Sequence, residues 1–233
     1  MNNLAFFPLS ENAIMIDYGE EIRPEINKRI HQLSSAISAK PFPGFIESVP
    51  AYTTLTVYYN PLAINSRQPY EQACFYIEKY LPFIQEQSLE SRTVHLPVCY
   101  DEEFALDLAE VADRNNLSVK EVIKLHTNQE YYVYFIGFAP GFPFLGGLDP
   151  SIAAPRRRTP RRKTPAGSVG IAGRQTGVYP LDIPGGWQII GRTPKRLLNL
   201  QNSQPALLQP GDQVRFQAIS KQAFLSWEEK SWH

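Results

Sequence analysis

Cysteine is scarce in this chain, which has 233 residues but only Cys74 and Cys99. Two cysteines exclude a disulfide framework and a four-cysteine zinc site, and neither has the other at ligand spacing. Such usage is typical of a reducing compartment, so the sequence predicts a cytoplasmic protein.

Signals for export and for membrane insertion are also missing. The apolar stretch near the start has no basic residues before it, ends at Pro8 and is followed by acids, so we expect no signal peptide. The uncharged run 131–148 is long enough to cross a bilayer. Pro140, Pro143 and four glycines interrupt it, so we expect a buried strand followed by a turn-rich loop and no membrane span.

Net charge is absent from the whole chain, since 23 Lys and Arg balance 23 Asp and Glu. The charges are unevenly distributed, however. Residues 155–196 contain ten basic residues and one acid, Asp182, so this segment carries +9 and the remainder −9. The basic segment lacks interleaved aromatic residues and the chain as a whole is neutral, so we do not expect nucleic-acid binding.

Glycine is concentrated in the same part of the chain. Eleven of the 14 glycines lie within residues 137–191, beside many of the prolines. This composition favours turns, bulges and short strands whose backbone amides can approach a ligand closely.

The hydrophobic pattern predicts an α+β protein of two domains. The first 85 residues show the order β-β-α-β-β-α, with apolar residues at helical spacing from Ile26 to Ile37. This order favours helices on one face of an antiparallel sheet, a ferredoxin-like α/β sandwich. After two short helices, the second opened by a capping box at Ser118 and Glu121, short strands indicate a closed barrel or sandwich. We therefore expect domains at 1–90 and 91–233, with the boundary near residues 88–92.

Five motifs lie in one order along the C-terminal half. They are GF-x-PGFPFL at Gly137–Leu145, PR-x5-R at Pro155–Arg162, PAGSVGIAG at Pro165–Gly173, TG-x-YP at Thr176–Pro180 and PGGW at Pro184–Trp187. With these motifs, and with His126-Thr127 before them, the chain resembles the family named variously the 5-oxoprolinase B subunit, allophanate hydrolase subunit 1 and KipI. The resemblance covers nearly the whole chain.

The resemblance implies a fold, an activity and partners. The C-terminal domain is expected to be a cyclophilin-like β-barrel. Family members work directly with a C subunit and functionally with a separate A subunit, and the three open 5-oxoproline to L-glutamate at the expense of ATP. One branch instead inhibits a sporulation histidine kinase, which gives an alternative function without catalysis. Peptidyl-prolyl isomerase activity ranks last, because it rests on fold analogy alone.

Opening a lactam with ATP requires cations, because phosphorylation of the amide oxygen places negative charge on phosphate oxygens. Arg156 and Arg162 occupy the arginine positions of PR-x5-R and are the expected phosphate or carboxylate clamps. The neighbouring basic residues, namely Arg157, Arg158, Arg161 and Lys163, are expected mainly to face water or an acidic partner surface. Mg²⁺ is expected to accompany ATP, and no residues show protein-metal spacing.

His126 and Ser168 are the predicted catalytic residues beside Arg162. A neutral imidazole at residue 126 could protonate the leaving nitrogen or activate water. The alternative is a histidine that complements the dipole at a helix C-terminus. Ser168 could hydrogen-bond substrate or phosphate, with Gly167 and Gly170 allowing close backbone approach, or it could satisfy a local turn.

The remaining predicted site residues are Gln175, Tyr179 and Trp187. A planar amide, a phenol and an indole suit a small cyclic amide that needs one apolar face and directed hydrogen bonds. Each could equally belong to the hydrophobic core, and the Pro184-Gly185-Gly186 turn is expected to present Trp187.

Overall fold

The computed structural model describes residues 4–84 and 92–227. The chain divides into two compact units, residues 1–90 and 91–233. The predicted boundary near 88–92 lies, except for residue 92, outside the described residues.

Among the described residues, the first unit is a four-stranded antiparallel sheet with two α-helices and the two short 3-10 helices Pro61–Ala63 and Leu81–Phe83. Its elements are β1 (Ala5–Ser10), β2 (Ala13–Asp17), α1 (Pro24–Ala39), β3 (Phe45–Pro50), β4 (Thr54–Tyr59) and α2 (Pro69–Glu78). The strands lie in the order β1-β2-β4-β3, so two hairpins meet where β2 pairs with β4.

One face of this sheet carries the core of the first unit. On β2 and β4 the apolar side chains alternate with more exposed ones, and Ile14 pairs opposite Val57. The face of α1 that meets them repeats every three or four residues through Ile26, Ile30, Leu33 and Ile37, all buried. The helix predicted from this spacing is confirmed as α1. Pro24 can begin it because the N–H of the first helical residue has no partner within the helix.

The ferredoxin-like assignment of this unit is wrong. That topology needs a strand after the second helix to return to the sheet. The strand after α2 is β5 (Thr93–Cys99), which joins a different sheet in the second unit, and β1 fills the edge beside β2 through a tight hairpin. Local periodicity indicates the elements, but it does not determine which strand occupies the edge.

The second unit contains a closed seven-stranded barrel in the order β10-β7-β6-β13-β5-β12-β9. Its further elements are α3 (Leu108–Arg114), α4 (Val119–Thr127), β6 (Tyr131–Ile136), β7 (Pro143–Gly146), β8 (Arg161–Thr164), β9 (Ser168–Ala172), β10 (Gln175–Val178), β11 (Ile183–Gly185), β12 (Gln188–Arg192), β13 (Gln213–Ile219) and α5 (Lys221–Leu225). β8 and β11 form a separate two-stranded sheet. The closed barrel fits the cyclophilin-like part of the expectation.

Apolar side chains fill the barrel. Leu96, Val133, Ile171, Ile190 and Phe216, each from a different strand, are buried in one cluster. These buried side chains from different strands make the interior of the barrel a packed core. Among the described residues no helix is long and apolar enough to cross a membrane.

Candidate functional site

The basic segment is anchored to the barrel by one buried carboxylate. Asp107, only 4% exposed, lies just before α3. Its Oδ1 accepts hydrogen bonds from Arg157 Nη1 at 2.8 Å and from Arg161 Nη2 at 2.6 Å. Its Oδ2 accepts the backbone N–H of Ile189 at 2.6 Å, while its own N–H donates to the Ile189 carbonyl at 2.7 Å. We call Asp107, Arg157 and Arg161 the Asp107 cluster.

The expectation that Arg157 and Arg161 face water is wrong. Their side chains are 32% and 18% exposed and share one carboxylate oxygen. A buried carboxylate is stable only when paired and hydrogen-bonded, and two guanidinium groups with one amide meet that need. Two cations on one anion leave the cluster with a charge of +1. No sequence motif marks Asp107, which stands 50 residues before its first arginine partner.

The predicted clamp arginines lie at the surface. Arg156 and Arg162 are exposed, as is Arg158, and within the described residues none of the three makes a hydrogen bond or an ion pair. Lys163 forms an exposed pair with Asp182 at 2.8 Å. The structure therefore presents Arg156 and Arg162 to solvent, where an anionic ligand could reach them; their binding role remains a prediction.

Arg162 lies in a β-bulge. Arg161 of β8 pairs with Gly185 of β11, and Thr164 pairs with Ile183. Three residue steps along β8 therefore lie opposite two along β11. A bulge inserts one residue and redirects side chains, which is why bulges are frequent beside active sites. Here Arg161 turns towards Asp107, and Arg162 is exposed.

Tyr179 and Trp187 are buried, and with Phe142 they belong to a small aromatic cluster. The Phe142 ring meets both of the other rings edge to face, at centroid distances of 5.3 and 5.4 Å. Burial raises the pKa of Tyr179, whereas the backbone N–H of Trp187 and the positive charges of Arg156 and Arg161 lower it. The Tyr179 hydroxyl thus lies near the basic segment, and its ring packs in the hydrophobic core.

The motif glycines make room for this aromatic cluster. A Cβ on Gly170 would come within 3.1 Å of the Trp187 Cβ, and one on Gly177 within 3.0 Å of the indole ring. A Cβ on Gly185 would collide with the Tyr179 hydroxyl. Gly167 has a φ of +83° and a Cβ there would collide with the Thr193 carbonyl. The close approach predicted at Gly167 and Gly170 is therefore made by the protein's own chain.

Ser168 is buried at the start of β9, with 2% of its surface exposed. Its N–H donates to the Pro165 carbonyl at 3.1 Å, and its carbonyl accepts the N–H of Tyr179 at 2.9 Å. Its hydroxyl makes no hydrogen bond with the described residues. A role for that hydroxyl in binding or catalysis remains a prediction. Gln175, in contrast, is half-buried, where β10 begins opposite Ala172.

His126 lies in the last turn of α4, whose capping box is confirmed because Ser118 and Glu121 bond each other's backbone N–H. The imidazole is fully buried and stacks on the Phe216 ring, with 4.5 Å between the ring centroids. Its Nδ1 lies 2.8 Å from the Tyr100 hydroxyl and its Nε2 lies 3.1 Å from Thr176 Oγ1. Neither ring nitrogen is open to a ligand.

The network around His126 fixes its tautomer. Thr176 donates its hydroxyl proton to the Gly170 carbonyl at 3.1 Å, so its oxygen accepts from His126 Nε2–H. Nδ1 then accepts the proton of Tyr100, whose pKa burial raises well above 10. Burial lowers the pKa of His126 to about 3, so the ring is neutral and gives the helix dipole no cation. The network joins His126, Thr176 and Gly170, which belong to three separate motifs.

Comparison with known proteins decides the family. Residues 4–208 match the family model described as carboxyltransferase domain, subdomain C and D. The 5-oxoprolinase B subunit of Bacillus subtilis (strain 168) is 50% identical over 232 residues, which cover 96% of each chain. That of Escherichia coli O157:H7 is 39% identical over 93% of this chain and 96% of its own.

The chain belongs to the 5-oxoprolinase B-subunit family. The resemblance inferred from the five motifs is confirmed. Among solved structures, the crystal structure of TTHA0988 superposes with a TM-score of 0.77 at 39% identity. The superposition covers 89% of this chain and 40% of TTHA0988, so the family unit also occurs as part of a longer protein.

Within residues 4–84 and 92–227, no three His, Cys, Asp or Glu side chains lie close enough together to hold a metal ion. The exposed Arg156 and Arg162 can bind phosphate or carboxylate oxygens, and each is the sequence neighbour of an arginine of the Asp107 cluster.

Proposed function

We propose that this chain is the B subunit of an ATP-dependent 5-oxoprolinase, which opens 5-oxo-L-proline to L-glutamate together with a C and an A subunit. The observation that carries the proposal is identity of 50% and 39% to curated relatives with that name, over nine tenths or more of each chain. Such similarity over whole chains supports a shared role far better than a shared fold does.

The role proposed for this chain is to bind and polarise anionic groups. Arg156 and Arg162 are exposed and unpaired among the described residues, so both guanidinium groups are available to phosphate or carboxylate oxygens. Cations placed where negative charge develops lower the barrier to phosphorylation of the amide oxygen. Mg²⁺ would arrive with ATP and neutralise phosphate charge.

The buried positions of His126 and Ser168 support a site completed by a partner chain. Neither His126 nitrogen faces solvent, and Ser168 is almost fully covered. Groups that move protons are therefore expected from the C subunit. The length of TTHA0988 is consistent with this division, because a unit like this chain accounts for only 40% of that protein.

Reconstitution tests the proposal. ATP consumption and glutamate release from 5-oxoproline are measured for this protein alone, with its C partner, and with the C and A partners together. Turnover only in the full mixture is the expected result. Inactivity of a mixture whose complexes are verified by size-exclusion chromatography would contradict it.

The histidine-kinase inhibitor hypothesis has less support, because the curated relatives that match nearly the whole chain are named as enzyme subunits. It predicts inhibition of kinase autophosphorylation that survives Arg162→Ala, since a docking surface needs no anion clamp. The enzyme proposal predicts that the same substitution raises the KM of an anionic substrate and so lowers turnover at substrate concentrations that saturate the parent protein.

A further inference from the structure

The exposed arginines of the basic segment alternate with anchored ones. Arg157 is held inward by Asp107, and its backbone N–H is fixed to the Gly186 carbonyl at 2.7 Å. Arg156 and Arg158, its neighbours on both sides, are exposed. Anchoring Arg157 through its side chain and its N–H fixes the backbone from which Arg156 and Arg158 extend into solvent.

The same arrangement recurs at β8. Arg161 reaches Asp107 Oδ1 at 2.6 Å, and the bulge that follows directs Arg162 to solvent. Arg156 and Arg162, the arginines of PR-x5-R, are thus positioned by their anchored neighbours. The motif specifies neither Arg157 nor Arg161. Both anchors converge on the same oxygen of one carboxylate.

The Asp107 cluster also keeps positive potential behind the exposed arginines. Arg157 Nε and Arg161 Nη1 are buried, and neither has a hydrogen-bond partner among the described residues. One carboxylate offsets only one of the two cations. The anchor therefore fixes the segment without neutralising it, which favours binding of an anion at the adjacent surface.

We infer that Asp107 is a positioning residue for anionic substrate, which acts by holding Arg157 and Arg161 so that Arg156 and Arg162 are preset at the surface. This inference rests on the proposed function. Cations that are ordered before binding lose less conformational freedom on binding. Loosening the anchor should therefore weaken substrate binding and leave the chemical step nearly unchanged.

Steady-state kinetics of the reconstituted three-protein mixture test this inference. Arg162→Gln first shows which of the two anionic substrates, ATP or 5-oxoproline, depends on the clamp through its KM. Arg157→Gln is then expected to raise the same KM about fivefold with kcat changed less than about twofold. Arg157→Gln leaves Asp107 paired with Arg161 and the Ile189 N–H, so the fold should persist.

Two matched variants separate positioning from a purely structural effect. Arg157→Lys keeps a cation opposite Asp107 and should restore the KM to within about twofold of the parent value. Arg174→Gln removes one exposed charge from the same segment, at the β9–β10 turn, and should leave both KM values unchanged. A loss of folded protein would lower the apparent kcat. It would not raise the KM for one substrate and leave the KM for the other unchanged.

The outcomes are distinguishable. An unchanged KM in Arg157→Gln beside an impaired Arg162→Gln overturns the positioning role and leaves the anion site standing. An equal rise in Arg174→Gln also overturns it, because the effect would then be one of general charge. Full activity of both Arg162→Gln and Arg162→Ala overturns the anion site itself.

Discussion

Two buried polar groups in the barrel unit, the His126 network and the Asp107 cluster, differ in charge and in completeness. The His126 network is neutral, and each polar atom of its imidazole, of Tyr100 and of Thr176 has a partner. The Asp107 cluster is charged, is partly exposed through its arginines and retains two buried donors without a partner among the described residues. A satisfied network fixes a core, whereas an unsatisfied charged one is typical of a functional region.

The largest change in stability is expected from substitution of His126 in the neutral network. His126→Ala should lower the free energy of unfolding by about 4 kcal/mol, because it leaves a cavity beside Phe216 and removes the partners of Tyr100 and Thr176. Urea denaturation measures this loss. His126→Gln retains a donor and an acceptor, and its folded fraction should keep its turnover.

If His126 is catalytic, as the sequence predicts, folded His126→Gln should instead lose its turnover. A general acid or base cannot be replaced by an amide, so abolished turnover in well-folded His126→Gln would restore His126 to the catalytic residues. It would also show that the buried position seen here opens during the reaction.

Removing the carboxylate of the Asp107 cluster is expected to have the next largest effect. Asp107→Ala should cost about 3 kcal/mol of unfolding free energy, at the lower end for a buried ion pair because both arginines are partly exposed. Asp182→Ala is the matched control, since its pair with Lys163 is exposed, and its urea midpoint should be close to that of the parent. Equal losses in the two variants would contradict the contrast between them.

Acid should affect the His126 network through linkage. Burial lowers the pKa of His126 from 6.5 to about 3, so between these values the unfolded chain binds a proton that the folded protein does not. Above about pH 6.5 neither state binds this proton, and as pH falls towards 3 proton uptake by the unfolded chain lowers the free energy of unfolding by up to about 1.4 kcal/mol per pH unit. Urea midpoints between about pH 8 and pH 4.5 should fall more steeply in the parent protein than in His126→Gln. Parallel profiles would contradict the buried neutral imidazole.

The smallest effect on stability is expected at the exposed arginines. Arg158→Glu should leave the urea midpoint nearly unchanged, because Arg158 makes no ion pair with the described residues. It should weaken association with the C subunit, more at low than at high salt. Arg157 is a poorer choice for this charge reversal, since its anchor on Asp107 would be lost as well. Binding that is insensitive to salt would exclude an electrostatic interface at this residue.

The motifs identified the family, but several of their residues also have packing roles that the sequence did not reveal. Gly170, Gly177 and Gly185 accommodate Trp187 and Tyr179, and His126 joins Thr176 inside the barrel. A glycine needed for packing and a glycine needed for ligand approach look the same in a sequence. Of the predicted site residues, Arg156 and Arg162 are exposed, Gln175 is half-buried, and the others are buried.

Elements and family could be inferred from the sequence because their signals are local. The apolar repeat of α1 and the capping box of α4 each depend on residues only a few positions apart, and each motif is a short stretch of the chain. Whether β1 or a later strand fills the sheet edge is not a local property, and the ferredoxin-like topology was therefore wrong.

The sequence alone determined that a cationic, glycine-rich segment of a recognisable family follows a helix-containing domain. Only the tertiary structure decided which cations are anchored, since Asp107 meets Arg157 and Arg161 across 50 and 54 residues of intervening fold. Pairing of this kind depends on the tertiary fold, which brings Asp107 together with Ile189 of β12 and Arg161 of β8. Charge and periodicity are carried by neighbouring residues, whereas burial and pairing are properties of the folded chain as a whole.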